Sequence, residues 1–112
     1  MTTPDTSPRV RLDKWLWAAR FFKTRALSAE AIDKGQVRVN GQVAKASREP
    51  RVGDTIEFRQ GQDLRAVVVR GLSAVRGSAP VAQQLYEETA ESIARRLAMA
   101  EQRRLAPEPA LS

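Results

Sequence analysis

The chain predicts an α+β fold: two short helices on a small, mostly antiparallel sheet, with a long carboxy-terminal helix. Three observations predict it. Apolar residues recur at helical spacing between Leu12 and Ile32. The period then shortens to two between Val37 and Val69, with turn signals separating the runs. Helical spacing returns from Tyr86 to Ala100, beyond a stretch that holds Gly77 and Pro80.

Met1 to Pro8 has no apolar run and reads as a disordered lead, not a signal peptide. A first helix is expected from Arg11 to Arg20, where Leu12, Trp15, Leu16 and Ala19 form one stripe. Asp13 lies in its first turn, where a negative charge meets the positive end of the helix dipole. Phe21, Phe22 and Lys23 form a connector. The second helix has Thr24 or Ser28 as N-cap, Leu27, Ala31 and Ile32 as its buried face, and Gly35 as its stop. Val37 and Val39 then alternate with polar residues as a half-buried strand, and Asn40-Gly41 is a strong signal for a type I′ hairpin. Gln42 to Ala46 is the expected return strand, with Val43 inward. Thr55 to Phe58 and Leu64 to Val69 supply two further strands, the last buried on both faces.

Residues 71–82 read as a linker, and 83–106 as one long helix carrying Tyr86, Ala90, Ile93, Leu97 and Ala100 on a single stripe. Glu87, Glu88 and Glu91 near its start and Arg103 and Arg104 near its end suit the dipole, and Glu91 with Arg95 forms an i,i+4 pair. Residues 107–112 are expected to fray. One domain of this size buries roughly two-thirds of its extended surface, enough for a core without staples.

Charge is concentrated. Arg9 to Arg48 holds ten Lys/Arg against three acids, a net +7, whereas Glu49 to Ser112 is neutral. A cationic block on a neutral body implies a surface for a polyanion, with nucleic acid the first candidate. The candidate RNA-binding set is Arg11, Lys14, Arg20, Lys23, Thr24, Arg25, Lys34, Arg38 and Lys45. A helix pair backed on a sheet gathers Lys14, Arg20, Lys23, Arg25 and Arg38 on one surface, with Lys34 and Lys45 near the hairpin ends. Trp17 lies off the first helix's stripe, and either stacks on a base or packs against the carboxy-terminal helix.

The absences narrow the chemistry. No cysteine excludes disulfides and thiolate nucleophiles, and no histidine removes the usual general base and the commonest metal ligand. No catalytic residue, metal or cofactor is expected. No run approaches the ~20 apolar residues that span a bilayer, so a cytoplasmic protein without a membrane partner is expected. Glu87-Glu88 reads as a solvated run, since adjacent helical residues diverge by about 100°.

From Arg11 to Phe58 the chain resembles the alpha-L RNA-binding motif, the domain type of ribosomal small-subunit protein four. Arg11-Leu-Asp-Lys-Trp15, Lys23-Thr-Arg25, Ala31-Ile32, Gly35-Gln-Val-Arg-Val-Asn-Gly41 and Val52-Gly-Asp54 carry that likeness. Leu16-Trp17-Ala-Ala-Arg20, Arg59-Gln-Gly61 and Leu85-Tyr-Glu-Glu-Thr-Ala-Glu-Ser92 are similar to the bacterial ribosome-associated small heat-shock proteins that carry this domain. The resemblance implies a non-catalytic binder of ribosomal RNA on the large subunit, acting in recycling of free large subunits that hold a nascent chain. Phosphate contacts would fall on Arg11, Lys14, Arg20, Lys23, Arg25 and Arg38, with peptidyl-tRNA a further partner and a monomer the simplest state. The expected layout is a lead at 1–8, the RNA-binding domain with its sheet extension at 9–70, the linker, the helix and the tail.

Two alternatives come from other classes. One is a general DNA-binding protein using the helix pair. The other is an RNA-modifying enzyme, since Arg11-Leu-Asp13 matches the short motif around the catalytic aspartate of pseudouridine synthases; helix capping is the simpler role for Asp13. A protein-interaction adaptor acting through the last helix is a weaker third.

Overall fold

The computed structural model describes residues 9–61 and 63–105. The expected lead at 1–8 and tail at 107–112 lie outside the described residues, as does Ala106. In chain order the elements are α1 (Leu12–Ala18), α2 (Arg25–Asp33), β1 (Val37–Val39), β2 (Gln42–Val43), β3 (Thr55–Gln60), β4 (Asp63–Val69), α3 (Ala79–Gln83), β5 (Tyr86–Glu88) and α4 (Ala90–Leu105). One antiparallel sheet runs in the order β2-β1-β3-β4-β5.

Alternation decides which face of the sheet is covered. Val37, Val39, Ile56, Phe58, Val67 and Val69 all bury on the side where Leu12, Trp15, Leu16, Phe21 and Ile32 pack. Phe21 centres this core, its ring 4.5 Å from that of Phe58 and 4.4 Å from that of Tyr86. The Arg65 guanidinium lies 5.3 Å from the centre of the Phe21 ring, a cation–π contact. The hairpin forms as its residues demand: Asn40 and Gly41 both hold positive φ, 51° and 83°. Asn40 also receives the Thr55 N–H on its Oδ1 (2.9 Å) and donates to Asp54 (3.1 Å), tying the hairpin to β3.

Several expectations are corrected. The return strand stops at Val43, which is 61% exposed and not inward, because the chain then bends to carry its carbonyls to α1. Leu27 is 46% exposed, and Ser28 takes the buried position facing α1. The last residues of β4 are not buried on both faces, since Val68 stays half-exposed. Residues 71–78 pack against α1 and do not form a free linker. The buried Trp15 indole needs an acceptor and donates to the Gly71 carbonyl (2.9 Å), while Arg76 Nε donates to the carbonyl of the half-buried Trp17 (3.2 Å).

The long helix is shorter than its periodicity suggests. Tyr86–Glu88 pairs with β4 as β5, and α4 begins only at Ala90 with Thr89 accepting from the Ser92 N–H (3.1 Å). Where β5 ends, the Ser92 hydroxyl accepts the Ala66 N–H (3.0 Å), so α4 satisfies the strand edge that β5 leaves open. Glu88 is not part of a solvated run. Its side chain is 8% exposed and bonds Arg96 (2.8 Å), Arg65 (3.2 Å) and the Ser92 hydroxyl (2.6 Å). Glu87 pairs with Arg70 (3.4 Å), and Arg95 reaches the Leu64 carbonyl (3.4 Å) in place of the expected pairing with Glu91. No described helix is long and apolar enough to cross a membrane.

Candidate nucleic-acid interface

Two short sequence signals build the site. Thr24 caps α2, its hydroxyl accepting the Leu27 N–H (3.1 Å), which fixes Arg25 as the first helical residue. The Ser28 hydroxyl one turn on donates to the Asp13 carbonyl (2.6 Å) and locks α2 against α1. These anchors bring Arg25 to Asp13 across twelve residues of chain.

Asp13 is the hub. Its Oδ1 accepts from Arg11 Nε (3.2 Å) and from the Lys14 N–H (2.9 Å), and its Oδ2 accepts from Arg25 Nε (3.4 Å). The carboxylate side chain is only 6% exposed, whereas those of Arg11 and Arg25 are 49% and 45% exposed. Each guanidinium is therefore held at its inner Nε, and among the described residues its terminal Nη groups have no hydrogen-bond partner. Two planar forks on one buried acid suit phosphate oxygens. Asp13 does more than serve the helix dipole: arginines bond both its oxygens.

The first turn of α1 is not itself an anion site. Arg11 gives no side-chain cap there; the Leu12 and Asp13 amides donate instead to the carbonyls of Arg48 (2.7 Å) and Ala46 (3.4 Å). This contact draws residues 44–48 towards Arg11, and Lys45 lines the same groove as Arg11.

The other candidates divide. Lys14 and the connector residue Lys23 flank this centre in sequence, and with Lys45 they have no carboxylate within 4 Å among the described residues. Lys34 is paired with Glu30 (2.9 Å). Arg20, whose φ is +67°, donates to the Gly77 carbonyl (3.0 Å) and fastens the segment after β4. Arg38 does not join the helix-side cations: it alternates with buried Val37 and Val39 and so lies on the opposite sheet face, across from Glu57. There it shares a second groove with Arg59, which sequence reasoning did not single out. The single surface expected for Lys14, Arg20, Lys23, Arg25 and Arg38 is thus not formed, because strand alternation sends Arg38 away. Among the described residues, no group of three or more acidic side chains is placed to hold a metal.

Residues 10–56, which contain Asp13, Arg25 and the hairpin, match the S4 domain family. Heat shock protein 15 of Escherichia coli (strain K12) is 52% identical over 96 residues, covering 86% of this chain and 72% of that protein. The chain belongs to the Heat shock protein 15 family. The likeness to Heat shock protein 15 extends to three dimensions. A trimeric structure of the Vibrio cholerae Heat Shock Protein 15 aligns with a TM-score of 0.86 at 48% identity, over 88% of this chain and 100% of that one. A shorter relative of this chain is the RQC P-site tRNA stabilizing factor of Bacillus subtilis (strain 168). It is 43% identical over 63 residues, 56% of this chain and 73% of that protein.

Proposed function

We propose that the protein binds folded ribosomal RNA on the large ribosomal subunit and acts, without catalysis, in recycling free large subunits that hold a nascent chain on peptidyl-tRNA. One observation carries this reading: Arg11 and Arg25 are fixed through Nε to buried Asp13, and among the described residues their outer nitrogens have no hydrogen-bond partner. Lys14, Lys23 and Lys45 supply further positive charge around them. A-form RNA hides its major-groove edges, so such a surface reads shape and phosphate positions rather than duplex sequence. Membership of an S4-containing heat-shock family supports RNA as the polyanion. The relative named for stabilising a P-site tRNA supports a position beside peptidyl-tRNA. On this reading the protein works in the cytoplasm with the ribosomes it serves.

Sedimentation with purified ribosomal particles tests the proposal. The full chain is expected to travel with free large subunits, most strongly when they carry peptidyl-tRNA, and weakly with assembled ribosomes. Arg11→Gln with Arg25→Gln is expected to weaken the association at least about tenfold, each lost charge-assisted contact being worth roughly 1.5–3 kcal/mol. Equal binding by duplex DNA at matched salt, or full binding by the double variant, would contradict it.

A further inference from the structure

α1 is buried on nearly every side. Of its seven residues five are buried, and Lys14 and Trp17 alone keep solvent exposure. They stand three residues apart, so both lie on one stripe of the helix. Trp17 also stands four residues after Asp13, about one helical turn from the carboxylate that holds Arg11 and Arg25. The two tryptophans of α1 have different surroundings. Trp15 is fully buried, and the Gly71 carbonyl takes its indole N–H. Trp17 is only partly buried against the core, and its indole N–H has no acceptor among the described residues and is not buried. Arg76 steadies the backbone behind it by donating to the Trp17 carbonyl (3.2 Å). Core packing alone does not call for an indole whose donor is left in water; a ring with one apolar and one wet side suits an interface.

We infer that Trp17 takes an unpaired base of the bound RNA on the exposed part of its indole ring, with Lys14 on a neighbouring phosphate. The inference rests on the RNA-binding reading and specifies the RNA: a strand that leaves its duplex beside the Asp13 centre. Charge decides the occupant. Lys14 has no carboxylate partner among the described residues, and Arg11 and Arg25 lie one turn away, so the stripe continues a cationic surface. An apolar protein partner would bury Lys14 beside the ring with no counter-charge. RNA brings phosphate to the lysine and a flat base to the ring. A continuous duplex keeps its bases stacked inside and offers the ring no face, whereas a splayed base does.

Fluorescence anisotropy and tryptophan emission, with the full chain and two RNA hairpins, test this. The hairpins share one stem, and one ends in a single-stranded overhang of adenines. Wild type is expected to bind the overhang hairpin about tenfold more tightly, within the return for stacking a base on an aromatic ring. The overhang should also shield tryptophan emission from acrylamide, where the blunt stem does not. Trp17→Phe is expected to keep most of the preference. Trp17→Leu is expected to keep its affinity for the blunt stem and to lose both the preference and the shielding. If Trp17→Leu fails to fold, the wild-type shielding decides. Equal affinity or equal shielding of wild type with the two hairpins overturns the Trp17 assignment while leaving RNA binding intact. A preference that survives Trp17→Leu, or is lost in Trp17→Phe, does the same. Binding to neither hairpin overturns the RNA reading and the Trp17 assignment together.

Discussion

Arg25 occupies a position that the helix dipole disfavours. It is the first residue of α2, where unpaired amides already concentrate positive charge. Asp13 relieves that conflict through Nε and leaves the rest of the half-exposed guanidinium open to solvent, where an anion can replace water. On the proposed reading, a local preference overridden in this way fits a residue that binds an anion. Asp13→Asn keeps the acceptor for the Lys14 amide but removes the charge that holds the arginines. RNA affinity measured by anisotropy is expected to fall several-fold to about tenfold, with a small change in melting, since half-exposed ion pairs contribute roughly 1 kcal/mol or less. Undiminished affinity would show that the arginines keep their places unaided. Ser28→Ala removes a buried bond between the helices and is expected to cost about 1–2 kcal/mol in denaturant unfolding. At this scale the sequence is partly legible. The Thr24 cap follows from residue type and spacing, whereas the Asp13–Arg25 contact joins residues twelve apart, and a first-turn acid already has an adequate local explanation.

Among the elements, the attachment of α4 turns on Glu88. The Arg96 bond, helped by Ser92 and Arg65 and opposed by burial, lowers its carboxyl from 4.5 to about 2. Glu88 in turn raises Arg96 above its ordinary value. The folded value of Glu88 lies below the unfolded one, so its contribution is complete above about pH 4.5 and is lost as pH falls towards 2. Glu88→Gln is therefore expected to destabilise the protein by about 1–3 kcal/mol at pH 7. It should also flatten the pH dependence of melting between those two values. A variant that retains the wild-type slope would place the acid sensitivity elsewhere. The same region explains the largest misreading of sequence. Tyr86, Ala90 and Ile93 keep helical spacing, and glutamates favour helices. The open edge of β4 outweighs that preference by offering backbone partners to residues 86–88. The hairpin at Asn40-Gly41 was legible because the backbone geometry it requires is written in two adjacent residues. The bend after Val43 was not, because it answers to the amides of α1.

For the molecule as a whole, charge placement makes the salt dependence informative. If Arg11, Lys14, Lys23, Arg25 and Lys45 each neutralise about one phosphate, log affinity should fall against log salt with a slope of roughly −3 to −5. Arg25→Gln should make that slope shallower by about one, whereas Arg38→Gln, on the far face of the sheet, should leave it unchanged. A loss of slope with Arg38→Gln would extend the contact surface around the sheet. The cationic block between Arg9 and Arg48 pointed to a polyanion, but a linear count could not divide the cations between faces. The closure of the first turn of α1 by Ala46 and Arg48 has a wider consequence. With the peptide dipoles there already engaged by the fold, the proposed reading leaves grip on the RNA to replaceable side chains. Single substitutions can therefore tune how long the protein stays on its target while the scaffold beneath is left untouched.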